Sequence, residues 1–384
     1  MLHLGLATSW DNKLISVFKS FELSSVKELW GTLNYNPIGS GRGPSPTLID
    51  IKSAEDHIRH ARGAGLDFCY LMNAPCTGNQ EYSDEGKRAV LSHIEWMTGA
   101  GVNYITVSNP FLMALISKHF PGVKLKASVI LECNTILKIR KYLNMGCDII
   151  NLSFDKNRDF KFLRSIPEGL RGHIELLASD ACLFNCPYRT YHYNQMGHAS
   201  QRFENEMGGG SEPLPWHQLY YPMLCCTSQK CEFPEEWIKS RWIRPEDIKT
   251  YQEFGYNRFK IGSRNYDDDT LTLSRVAKSY HQGFHRGNLI DLLSAGSFEI
   301  PGMESQIQIT IDNRALDGFL DFFINTEIDC STACGTTCDY CRKIAEKAVT
   351  IETQEALRET IIKLREFKHQ ICEAAGRSSN RTKQ

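Results

Sequence analysis

Residues 85–108 read EGKRAVLSHIEWMTGAGVNYITVS. A helical pattern runs to Gly101, a usual helix stop, and a short β-branched run follows at once. The same order recurs along the chain. AEDHIRHARGAG (54–65) precedes DFCYLMN (67–73), ILKIRKYLNMG (136–146) precedes CDIINLS (147–153), and EDIKTYQEFG (246–255) precedes RFKIG (258–262). Further strand-like runs are LHLGLAT (2–8), KLKASVIL (124–131) and HIELLAS (173–179). Helix, glycine and short strand in repetition mark βα units on a parallel sheet. About seven or eight units in about 290 residues predict an α/β fold of (β/α)8 TIM-like type, regular or distorted. A doubly wound sheet is the fallback, but the first strand lacks the glycine-rich loop of a dinucleotide site.

The remaining 94 of the 384 residues form a C-terminal extension, 291–384, with a cysteine run and an amphipathic helix expected over 342–373. Within the barrel, 1–290, the stretch 200–240 breaks the rhythm with GGG, prolines and aromatics, and reads as a long functional loop. The chain is 41% hydrophobic and 23% charged, with net charge −1. No global field recruits nucleic acid, although a local basic patch, and so RNA, is not excluded. No apolar run is long enough to span a membrane, and the start has no signal-peptide pattern. With 14 cysteines, the expected compartment is a reducing cytoplasm, where clustered thiols bind metal more often than they pair.

Two cysteine groups carry the chemistry. Cys330, Cys334, Cys338 and Cys341 lie in CSTACGTTCDYC, with small residues and Gly335 between them. Four soft ligands so closely spaced suit an iron–sulfur cluster, with zinc as the structural alternative. Upstream, Cys182 and Cys186 in ACLFNCPYR follow a strand end, and Cys225, Cys226 and Cys231 in PMLCCTSQKC lie on the irregular stretch. They are expected over the C-terminal mouth of the barrel, where barrel enzymes place their chemistry. Only one of the adjacent Cys225 and Cys226 is expected to ligate.

Polar residues at strand ends form a candidate pocket: Asn73, Asn109, Asn134 and Lys260 with Arg264, and Arg42 in the glycine-flanked GSGRGP loop. The cations suit a carboxylate or phosphate. Glu132, Glu175 and His192 are the candidate proton-transfer groups, the glutamates on condition that burial raises their pKa.

The segments IELLASDACLFNCPYR and WIRPEDIKTYQEFGYNRFKIGSR together resemble the collagenase-like U32 peptidase family. The matching residues are Glu175, Cys182, Cys186, Pro245, Glu246, Asp247, Gly255, Lys260, Ile261, Gly262 and Arg264. GTLNYNPIGSGRGP resembles the opening loop of the branch containing the ubiquinone-biosynthesis hydroxylase pair. The resemblance implies a barrel with a 4Fe–4S cluster on Cys182, Cys186, Cys225 or Cys226, and Cys231. It implies oxygen-independent hydroxylation of a small biosynthetic substrate, with prephenate as oxygen donor. Alternatives are a peptidase, an RNA-base hydroxylase, or a non-catalytic electron-transfer or scaffold partner of a paralogue. The x3 spacing between Cys182 and Cys186 is shorter than the family's common spacing, and the C-terminal cysteine run, with room for a second cluster, is absent from the shortest members.

Overall fold

The computed structural model describes residues 1–33, 36–41, 49–207, 216–262, 270–293, 309–326 and 328–351, with scattered positions from 355 to 369; the side chains of 202–207, 216–220 and Leu224 are not among them. Eight parallel strands close into a barrel: β1 (His3–Ala7), β2 (Val26–Gly31), β3 (Asp67–Met72), β4 (Tyr104–Val107), β5 (Lys124–Ala127), β6 (Cys147–Asn151), β7 (Ile174–Leu177) and β8 (Arg258–Ile261). β8 pairs back onto β1, Leu4 opposite Phe259 and Leu6 opposite Ile261, so the sheet has no free edge. The expected (β/α)8 barrel is therefore present. The helix Asp84–Ala100 begins on a Ser83 cap and stops at Gly101, whose φ of 111° is the left-handed conformation glycine adopts freely. β4 follows three residues later, as the 85–108 stretch implies.

The interior of the barrel is not purely apolar. Glu28 of β2, Lys126 of β5 and Glu175 of β7 are fully buried, and the Lys126 amine donates to both carboxylates at 2.7 Å. Gly5 of β1 leaves room for this group, because a Cβ there would stand 3.3 Å from a Glu28 carboxylate oxygen. Burial pushes the Glu175 carboxyl up, but Lys126, Arg258 and Lys260 outweigh it and hold it at about 2. Burial pushes the Lys126 amine down, but the two carboxylates outweigh it and raise its pKa.

Two expected elements are corrected. The stretch 200–240 is largely helical, with helices Arg189–Met207 and Trp216–Glu232, the second carrying Pro222 in its interior. Glycine and proline signalled a break, but the flanking turns remain helical. The helix expected over 342–373 is interrupted: it ends at Ala348, Val349–Ile351 becomes a strand, β10, antiparallel to β9 (Ile309–Ile311), and the described positions from 355 to 369 are helical again. Its β-branched Val-Thr-Ile triplet favours pairing over helix. The hydrophobic core runs without a break from the barrel into Leu316, Phe319, Phe323, Ala345 and Ala348 of the extension. No helix among the described residues is long and apolar enough to cross a membrane.

Candidate functional site

The segment leaving β7 forms a cysteine-bearing turn. Asp180 Oδ1 accepts the Cys182 amide at 2.8 Å, and Asn185 adopts a left-handed φ of 48° that turns the chain towards Cys186. Arg189 clamps this turn to the ends of two other strands. Its guanidinium donates to both Asp155 carboxylate oxygens, to Glu132 Oε1 at 3.1 Å and to the Leu183 carbonyl at 2.9 Å. A two-pronged guanidinium–carboxylate contact of this kind fixes orientation as well as position.

Cys182, Cys186 and Cys226 line one small cavity of about 50 Å³, together with Arg189, His192 and Lys230. Helix phase separates the adjacent pair: Cys226 faces this cavity, whereas Cys225 is buried and hydrogen-bonds Tyr188. Cys231 is buried near Cys226. Lys230 adds positive charge beside these thiols, its amine donating to the Ala181 carbonyl and lying 4.4 Å from the Trp237 ring centroid. Burial raises the Cys186 thiol, and pushes that of Cys231 to about 12. Among the described residues, no three His, Cys, Asp or Glu side chains stand ready around a single metal ion. The donor set is nevertheless soft, thiol-rich and flanked by cations, which fits a thiolate-held anionic cluster.

The C-terminal tetrad lines a separate cavity. Cys330, Cys334, Cys338 and Cys341 surround a space of about 530 Å³ with Lys239 and Arg241 on its wall.

The other expected site residues divide. Asn73 is buried near the mouth, accepting from the Gly41 amide at 3.0 Å and donating to Ser128 at 3.0 Å. Asn109 caps the helix Pro110–His119 and bonds Glu81, so it is a structural cap. Asn134 is exposed on the surface. Lys260 is part-buried inside the barrel, its amine 4.3 Å from the Trp30 ring centroid, and burial lowers its pKa. Arg42 and Arg264 lie outside the described residues. Glu175 departs from expectation: it sits within the barrel on Lys126, and its pKa is lowered instead of raised, so it is a fixed anion. Glu132 lies at the mouth with a left-handed φ of 45°, held by Arg189.

Sequence reasoning missed Lys126, Arg189, Lys230 and Arg241. The only available signals were a lysine inside the apolar run KLKASVIL and the arginine ending CPYR. It also missed a hydroxyl–imidazole–amide chain: Thr8 Oγ1 lies 2.6 Å from His57 Nε2, and His57 Nδ1 lies 2.8 Å from Asn12 Oδ1. Thr8 and His57 are only 3% and 1% exposed, and the Thr8 hydroxyl also accepts the Trp10 amide. This group is a brace between the first two helices.

No family model matches the chain. A curated relative, an uncharacterised protease of Methanocaldococcus jannaschii, is 26% identical over 347 residues, spanning 89% of this chain and 94% of that protein. Among solved structures, a U32 peptidase is 16% identical and aligns over 68% of this chain and 92% of its own, with a TM-score of 0.48. Dihydropteroate synthase from Thermus thermophilus, 11% identical, aligns over 71% of this chain and 93% of its own, with a TM-score of 0.30. The cysteine-bearing turn after β7 and the segment from Pro245 to Arg264 carry the resemblance to the U32 peptidases, and along nearly its whole length the chain is similar to a protein described as a protease.

Proposed function

We propose that this chain is an iron–sulfur enzyme that hydroxylates, or otherwise modifies without oxygen, a small substrate, with Cys182, Cys186, Cys226 and Cys231 as cluster ligands. The observation that carries the reading is the meeting of Cys182, Cys186 and Cys226 at one cavity beside Arg189, His192 and Lys230. A bound cluster would supply electron transfer or Lewis acidity. The protein's own residues have separate tasks. Arg189 fixes the ligand turn against Asp155 and Glu132. Lys230 and Arg189 offset the negative charge of thiolates. His192, on the cavity wall, is the candidate for moving a proton. A carboxylate-bearing oxygen donor such as prephenate would require cations, and Lys260 is the described candidate.

The relative's description as a protease favours a peptidase as the second reading. A serine-type mechanism needs an accessible hydroxyl beside a base. The Thr8–His57–Asn12 chain has the order of such a triad but is closed to solvent.

The test is anaerobic reconstitution of the full chain with iron and sulfide, read by metal count and EPR. Cys186→Ser and Cys226→Ser each should remove about four irons per chain, and Cys225→Ser should leave the count unchanged. Iron loading indifferent to Cys226→Ser would refute the ligand assignment. Peptide hydrolysis by iron-free protein would establish the second reading.

A further inference from the structure

The C-terminal cysteines are held in a compact, stiff frame. Asp329 caps the short helix Cys330–Ala333, its Oδ1 accepting the Ser331 amide at 2.8 Å. Gly335, at a φ of 72°, turns the chain so that its amide donates to the Cys338 carbonyl at 3.2 Å, and the backbones of Cys334 and Cys338 form an isolated β-bridge. Tyr340 then stacks on Phe322 at 4.0 Å and donates its hydroxyl to the Phe319 carbonyl at 3.0 Å, fixing the cysteine turn to the helix Phe319–Asn325.

The opposite wall presents Arg241. It is 3% exposed, and its Nε has no hydrogen-bond partner. Its guanidinium stacks 3.8 Å from the Phe184 ring centroid, and among the described residues no carboxylate pairs with it. A second buried guanidinium, Arg158, lies behind it, its terminal nitrogens donating to the Ile238 and Trp242 carbonyls at 2.6 and 3.1 Å, its Nε without a partner, and among the described residues likewise without a carboxylate. A buried cation without a counter-ion is costly, so an anion belongs in the adjoining cavity. Glu235 and Asp339 also line that cavity, but they pair with Lys239 and with Arg342 and Lys343, and four neutral thiols carry no charge. Four thiolates bound to a metal centre do, since the complex is net negative.

We propose that Cys330, Cys334, Cys338 and Cys341 hold a polynuclear iron–sulfur cluster, distinct from the upstream set, with Arg241 as its buried counter-charge. A cluster is favoured over a lone zinc by the arrangement of the donors. All four thiols line one space of about 530 Å³, but among the described residues no three stand close enough to grip one ion. Zinc needs four donors at about 2.3 Å from a single centre. Phe184 gives the site a further property. It lies between Cys182 and Cys186, so Arg241 touches the upstream turn while facing the C-terminal cavity.

The experiment uses the full chain, reconstituted anaerobically, with iron, sulfide and zinc counted and the EPR signals titrated against potential. A double variant, Cys334→Ser with Cys338→Ser, should lose about four irons per chain and keep any signal that Cys186→Ser abolishes. Arg241→Gln should keep its iron but shift one potential to more negative values, because a positive charge that stabilises the reduced cluster is gone. Arg241→Lys should restore most of that shift. One zinc per chain, lost in the double variant, would overturn the proposal, as would an iron count indifferent to the double change. If the double variant does not fold, the Arg241→Gln titration decides: an unmoved potential refutes the counter-charge and the site with it. Loss of the upstream signal in Cys186→Ser, or its absence, bears only on the upstream assignment.

Discussion

Lys126→Met tests whether the charged layer inside the barrel is held by its central cation. The substitution keeps the length of the side chain and removes the charge. Glu28 and Glu175, fully buried, then lose the amine they share and keep only the charges of Arg258 and Lys260 near them, each already with one carboxylate oxygen lacking a hydrogen bond. Breaking a buried pair by removing one partner costs about 3–5 kcal/mol, and here one lysine serves two carboxylates. A loss of at least about 4 kcal/mol is expected, or a fall in Tm of roughly 5 °C for a chain of this size. The pH dependence should also change sign. In the wild type, Glu175 is depressed from 4.5 to about 2, so its contribution is present above pH 4.5 and is lost as pH falls towards 2. Without Lys126, burial raises the carboxyls, and acid should stabilise the variant over the same range. Adding Glu28→Gln and Glu175→Gln should recover most of the loss. Urea denaturation from pH 3 to 8 reads both effects. A Lys126→Met protein within about 1 kcal/mol of wild type, with unchanged pH slope, would refute the reasoning.

Other outcomes follow from backbone and histidine environments. Gly86→Ala should destabilise by about 1–3 kcal/mol in urea titration, because a Cβ there would stand 2.0 Å from the Gln80 carbonyl oxygen. His3, His57 and His93 are each lowered to about 4, chiefly by burial. The unfolded chain takes up those protons first, so stability should fall as pH drops from 6.5 to 4, by up to about 2 kcal/mol per histidine at pH 5. His93→Phe should flatten that slope measurably.

The βα rhythm was legible because most strands are short apolar runs behind a glycine stop. β2 escaped because Glu28 interrupts VKELWG, and a charge inside a strand looks like exposure until Lys126, 98 residues on, supplies its partner. The helices flanking 208–215 escaped because Pro222 and the glycines outweighed weak amphipathicity. Cysteine spacing pointed to both candidate sites. It could not choose between Cys225 and Cys226, since that depends on helix phase. Arg189 and Arg241 act through the Asp155 carboxylate and the Phe184 ring, neither of which spacing brings together. Glu175 was misplaced in depth: it lies two residues before the end of β7, within the barrel and below the mouth.

Arg158, just after β6, is sandwiched between Trp242 at 4.1 Å and Phe319 at 4.7 Å. The wall beside β6 and β7 is therefore completed by chain that emerges from the ribosome long after β8. At about 5–20 residues per second, the 58 residues from Ile261 to Phe319 take roughly 3–12 s to synthesise. Through that interval the nascent barrel carries an uncovered indole and an unsheltered guanidinium, a surface suited to chaperone capture.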